Sequence, residues 1–147
     1  MTIILLSMKF FRENLMQLAL VIALVSTAGS LYFSEIMKLP PCALCWYQRI
    51  FMYPLVAIIS VGIWKKDKNL PYFILPLSII GILISFYQNL LYYNIIPEST
   101  SPCILGISCT IRQIEWFGFI TIPLMSLTAF ITITVLTLLY KRQFGRK

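Results

Sequence analysis

Four apolar stretches, each about the length of a bilayer-spanning helix, alternate with short polar breaks along this chain. They run from about Leu15 to Phe33, Trp46 to Trp64, Tyr72 to Tyr92 and Phe117 to Tyr140. A spanning helix needs roughly 20 predominantly apolar residues, because the hydrocarbon core is about 30 Å thick and each residue rises ~1.5 Å. Backbone groups inside lipid must be satisfied within their own segment, so each stretch is predicted as a helix. The pattern predicts an all-α membrane protein, a four-transmembrane-helix bundle, with residues 1–147 forming a single integral membrane domain. Pro76 and Pro123 fall in the first two turns of their spans, where a missing N–H matters least. Pro54 falls mid-span and is expected to kink the second helix. Residues 94–116 form the one long outer segment, marked as loop by Pro97, Pro102 and Gly106. Its end, Ile111 to Phe117, fits either a short interfacial helix or an irregular lead into the fourth span.

Composition strengthens this reading. The chain is 59% hydrophobic and 12% charged, with a mean hydropathy of +0.86, and that charged fraction is about half the usual soluble value. So few polar residues could not cover a water-facing surface. The net charge of +7 would fit nucleic acid if it were spread over one face, but it clusters beside the apolar stretches. Lys9, Arg12, Lys65, Lys66, Lys68, Lys141, Arg142, Arg146 and Lys147 all fall on one side of the predicted topology. Lys38, Arg49 and Arg112 fall on the other, alongside Glu35, Glu98 and Glu115. The positive-inside bias therefore predicts a multi-pass plasma-membrane protein with both termini cytoplasmic. The charge reads as topology and attraction to anionic lipid, not as a nucleic-acid footprint. Tyr32, Trp46, Tyr47, Trp64, Tyr92, Tyr93 and Trp116 at the span ends fit an interfacial aromatic belt. Small residues from Ser26 to Ser30 after an apolar run resemble a secretory signal. Apolar Leu31 to Phe33 continue past them without a clear cleavage site, which favours an uncleaved anchor.

The candidate chemistry lies in four cysteines. Cys42 and Cys45 form a Cys-x-x-Cys pair before span two, and Cys103 and Cys109 lie in the outer loop. Both pairs fall on the extracytoplasmic side of the predicted topology. Two dithiols on one face of a membrane bundle point to electron transfer between a thiol substrate and something dissolved in the lipid. Pro40 and Pro41 precede Cys42, so the first pair sits at a helix N-terminus, where unpaired N–H groups and the dipole favour a thiolate. Arg49, four residues after Cys45, shares its helix face and adds a fixed positive charge. Cys103 and Cys109 close a short loop worth only about 2–2.5 kcal/mol as a disulfide, the labile kind more than a deep staple. A simple loop clip is the alternative for that pair alone. Joint zinc binding by all four is disfavoured by the wide spacing of the second pair and by the oxidising location. No histidine occurs. That excludes a Ser-His-Asp triad, histidine-ligated haem or zinc, and c-type haem attachment.

The run Leu39-Pro40-Pro41-Cys42-Ala43-Leu44-Cys45-Trp46-Tyr47-Gln48-Arg49 resembles the signature of the DsbB family of disulfide bond formation proteins. Four spans with a second cysteine pair between the third and fourth extend the resemblance over nearly the whole chain. The compact outer pair is most similar to the short BdbC type of Gram-positive bacteria. Vitamin K epoxide reductases share four-helix bundles and Cys-x-x-Cys chemistry, but their cysteine pairs come in the opposite order. The resemblance implies a protein-disulfide oxidoreductase that reoxidises a thioredoxin-fold thiol oxidase (DsbA- or BdbD-like) and passes electrons to a quinone, menaquinone or ubiquinone. It implies that Cys42 and Cys45 are the quinone-side pair, with Cys45 nearest the ring and Arg49 at a ring carbonyl. It implies that Cys103 and Cys109 face the partner, with Cys103 the target of its thiolate. Some family members place a histidine near the quinone at the outer end of span three. Gln88 or Asn89 is the candidate to hydrogen-bond a quinone from that region here. The competing readings are a non-catalytic membrane scaffold whose disulfides shape an outer binding loop, and a vitamin K epoxide reductase-like quinone reductase.

Overall fold

A computed structural model of the chain describes residues 2–97, 99, 115–116 and 120–144, with side chains for 14–97, 99 and 121–143. Four long helices account for most of it: α1 (Thr2–Leu31), α2 (Ala43–Lys65), α3 (Leu70–Tyr92) and α4 (Ile122–Phe144). A π-helical turn, Tyr32–Ile36, prolongs α1. A short antiparallel pair precedes α4: β1 (Glu115–Trp116) and β2 (Ile120–Thr121), with Glu115 opposite Thr121 and Trp116 opposite Ile120. All four helices are long and apolar enough to cross a bilayer. Each packs chiefly against two others, α1 on α2 and α4, and α3 on α2 and α4, which closes a four-helix bundle.

Several boundaries differ from the sequence expectation, most of all the start of α1, at Thr2 instead of near Leu15, and two of them have a local reason. α2 begins at Ala43 instead of near Trp46, because Cys42 leaves the Pro-Pro run extended (φ −71°, ψ 168°) and its carbonyl accepts the first helical bond, from Trp46 N at 3.2 Å. α4 begins at Ile122 instead of near Phe117, because Ile120 and Thr121 are pairing with β1. Pro123 then falls in the first helical turn, where its missing N–H costs nothing. Glu115 and Trp116 are extended, so a helix over Ile111 to Phe117 does not pass through them; the rest of that segment lies outside the described residues. α2 runs on through Pro54, which leaves the Ile50 carbonyl without its usual helical donor.

The core is a narrow seam. Leu15, Met16, Ala19 and Ala23 recur at helical spacing on α1 and meet Met52, Leu55 and Ile59 of α2, Ile74 of α3, and Phe130 and Ile133 of α4. Gly81 of α3 permits a close approach: a Cβ there would clash with the Phe130 ring. Between 22% and 33% of each span is buried, so most of this apolar surface faces outward and requires lipid as its solvent. Hydroxyls on α4 are satisfied within the helix: Thr128, Thr132, Thr134 and Thr137 each donate to a carbonyl three or four residues back, at 2.7–2.8 Å.

The two ends of the bundle differ in chemistry. At one end, α2 closes in a Schellman motif, with Lys66 left-handed (φ 52°), its N–H on the Ile63 carbonyl and the Asp67 N–H on the Gly62 carbonyl. Lys141 of α4 lies 4.5 Å over the Tyr72 ring of α3 at that same end. The other end gathers the close of α1, the start of α2, the close of α3 and the start of α4. Here buried polar groups collect, and here lies Cys42-x-x-Cys45.

Candidate active site: a cysteine pair between an amide and an apolar cavity

The Pro-Pro run and the helix start place both sulfurs of the first pair at the head of α2. Cys42 is the N-cap residue and Cys45 lies in the first turn. Both are free thiols, and Cys42 donates to the Cys45 sulfur across 3.2 Å. That donated bond, and after it burial, hold the Cys42 thiol well above the ordinary thiol range, so Cys42 keeps its proton. The partner sulfur, Cys45, is thereby the one surrounded by donors.

Cys45, Gln48, Arg49 and Met52 follow at helical spacing and line one wall of a cavity of about 320 Å³. Ser30 and Phe33 come to it from α1 and its π turn, and Ser126 and Phe130 come from α4. Arg49 is fixed in the cavity wall by α1: its Nε donates to Ser30 Oγ and its Nη2 to the Ser30 carbonyl, each at 2.8 Å. Its guanidinium carbon also sits 5.7 Å from the Trp46 ring centre. A guanidinium carries five N–H donors, so three remain without a partner among the described residues.

Gln88 reaches the same sulfurs from α3. Its Nε2 lies 3.3 Å from Cys45 Sγ and 3.5 Å from Cys42 Sγ, and its Oε1 accepts from Gln48 Nε2. Gln88 does not line the cavity; Cys45 does, and so is in contact with both. Asn89 turns to α4, donating to the Ser85 carbonyl at 2.8 Å and the Pro123 carbonyl at 3.1 Å. Of the residues singled out from sequence, the fold thus assembles Cys42, Cys45, Arg49 and Gln88 into one site. Cys103 and Cys109 lie outside the described residues. Sequence reasoning passed over Gln48 and Ser30. Gln48 stands three residues after Cys45, and that spacing could have marked it; nothing local marks Ser30.

The model of the family described as disulfide bond formation protein DsbB matches residues 12–140. The chain belongs to the DsbB family. A role in disulfide bond formation, and with it disulfide oxidoreductase activity, comes with that membership. Among curated relatives, the chain is similar to disulfide bond formation protein C of Bacillus subtilis, 46% identical over 82% of this chain and 88% of the relative. It is similar to a probable disulfide formation protein C 2 of Bacillus anthracis, 43% identical over 95% and 98%. It is also similar to a probable disulfide formation protein C of Halalkalibacterium halodurans, 44% identical over 89% and 96%. No solved structure matches the chain. The DsbB match spans all four helices, so the site described above lies wholly within the family region.

Proposed function

We propose that this protein is a membrane thiol:quinone oxidoreductase that reoxidises an extracytoplasmic thioredoxin-fold thiol oxidase. One observation carries the reading: Cys45 and the anchored Arg49 share the wall of one apolar cavity between α1, α2 and α4. Its volume of about 320 Å³ is in the range of small-molecule pockets. An apolar slot with a thiol on one side and an under-used guanidinium on the other fits a flat apolar ring bearing carbonyl oxygens. Menaquinone and ubiquinone both have that form and both dissolve in the membrane.

When bound, a quinone supplies the acceptor for two electrons and two protons. The rest is the work of this chain's residues. The partner's thiolate attacks Cys103 of a Cys103–Cys109 disulfide; that bond breaks, and the partner leaves with its own two thiols joined. The reduced loop pair then exchanges with a Cys42–Cys45 disulfide, regenerating Cys103–Cys109 and leaving Cys42 as thiol and Cys45 as thiolate. Arg49 holds and polarises a carbonyl oxygen, and Cys45 presents its electron pair to the cavity. As the Cys42–Cys45 bond closes again, two electrons leave with the Cys42 proton. The second proton for the acceptor comes from water, which took it up when Cys45 became a thiolate, and the site is ready for another cycle. The positive-inside pattern supports an extracytoplasmic location for this chemistry, away from cytosolic reductant, with 1–147 acting as one membrane domain.

The test is quinone reduction by the purified protein in detergent, with a reduced thioredoxin-fold oxidase as donor. Wild type should turn over, and Cys45→Ser should not. No turnover by a well-folded, fully oxidised wild type with either quinone would sink the proposal in favour of a non-catalytic scaffold.

A further inference from the structure

Gln88 and Gln48 are buried polar side chains on different helices, 2% and 7% exposed, and they face each other beside the sulfur pair. A buried amide leaves its donors and acceptor unpaired only at a cost, so each polar atom of Gln88 needs a partner. Its oxygen has one in Gln48 Nε2. Its nitrogen carries two hydrogens, and two sulfurs lie within reach of it, at 3.3 and 3.5 Å. The reversed amide would set nitrogen against nitrogen and turn oxygen lone pairs on sulfur. The bond from Gln48 Nε2 thus matches the Gln88 orientation that turns its NH2 group on the sulfurs.

We propose that Gln88 is a positioning residue that holds Cys45 as a thiolate from outside the cavity, and that Gln48 orients it for that task. An amide suits this place. It donates to an anion without bringing a charge of its own that burial would penalise. It also leaves the cavity face of Cys45 open, whereas a donor inside the cavity would compete with whatever binds there. The other titratable and charged groups near Cys45 are few. α2 and its N-cap contribute Cys42, Arg49 and Tyr53, which also lines the cavity; α3 contributes Tyr87, packed with the Cys42 and Leu91 cluster. From α1 and α4 the cavity residues are serines and apolar side chains. Arg49 has two of its donors committed to Ser30, so Gln88 joins the Cys42 thiol, which donates across 3.2 Å, as a side-chain donor to the Cys45 sulfur. This deepens the thiol:quinone reading, in that it rests on Cys45 being the electron-delivering sulfur.

The experiment is the pH profile of iodoacetamide alkylation at Cys45, resolved from the other cysteines by peptide mass spectrometry, on fully reduced full-length protein in detergent. It uses neither quinone nor partner, so it fails or succeeds independently of turnover. Gln88→Met keeps the length of the side chain and removes both donors; Cys45 alkylation near neutral pH should slow about tenfold, the worth of one hydrogen bond to an anion. The rates should converge in alkali, where the thiol ionises without help. Gln88→Glu, which sets carboxylate oxygens against sulfur, should be slower still. Gln48→Met, which leaves the donor but frees its orientation, should fall between wild type and Gln88→Met. Equal profiles for wild type and Gln88→Met would overturn the proposal. So would a slowing that persists in alkali, which marks altered access. Should Gln88→Met fail to fold, an unchanged profile in Gln48→Met would overturn it equally.

Discussion

Arg49 shows how one side chain can be shared between structure and chemistry. Two of its donors are spent on Ser30 of α1, one to the hydroxyl and one to the main-chain carbonyl, and its plane lies near the Trp46 ring. That anchoring fixes the guanidinium in rotamer and direction, so its remaining donors meet a ligand already aimed. A lysine has the charge without the fork, and cannot hold Ser30 at two points while presenting further donors in a set plane. Arg49→Lys is therefore expected to raise KM for a short-chain quinone by about tenfold or more, the worth of a lost hydrogen bond from a charged donor. Ser30→Ala should have a smaller effect in the same direction, because the carbonyl contact survives. Steady-state kinetics on the two variants checks both; equal KM values for Arg49→Lys and wild type would remove Arg49 from the binding site.

Helix α3 carries a different demand. Its Gly81 lies against the Phe130 ring of α4, and Phe130 in turn forms part of the cavity wall. Membrane helices gain little from hydrophobic transfer between one another, so close packing of small residues against large ones does much of the joining. Phe130 is fully buried and cannot retreat into open space. Gly81→Ala should therefore overpack the α3–α4 seam and cost about 1–3 kcal/mol. The expected result is a lower unfolding temperature in detergent together with weaker quinone binding, as the ring is pushed into the cavity. A variant as stable as wild type would show that the seam can relax. Glycine was visible in the sequence of span three, but its partner, 49 residues later, was not.

The whole molecule is an electrically and chemically polarised bundle, basic at one end and thiol-bearing at the other. Lys66, at the basic end, and Ile95, 68% exposed just beyond α3, are separated by one passage through the bundle. In a variant with the four native cysteines replaced by serine, Ile95→Cys should react with a membrane-impermeant maleimide on intact cells. Lys66→Cys should react only after the membrane is opened. The opposite labelling would invert the molecule and place the thiols in the cytosol. The sequence alone was enough for the four spanning helices and for the helix start at the cysteine pair, because their determinants are local: runs of apolar residues long enough to span, and prolines before the pair. It also marked Cys45 and Arg49, because four residues on one helix return to the same face whatever surrounds them. It could not show that Arg49 is held by Ser30, 19 residues earlier, or that Gln48 grips Gln88, 40 residues later. Nor could it show that Gln88 bonds the sulfurs without lining the cavity. Those meetings depend on how each helix is rotated and raised against its neighbours. The packing of Phe130 on Gly81, and of the seam around it, sets that rotation, and packing between distant residues has no local signature.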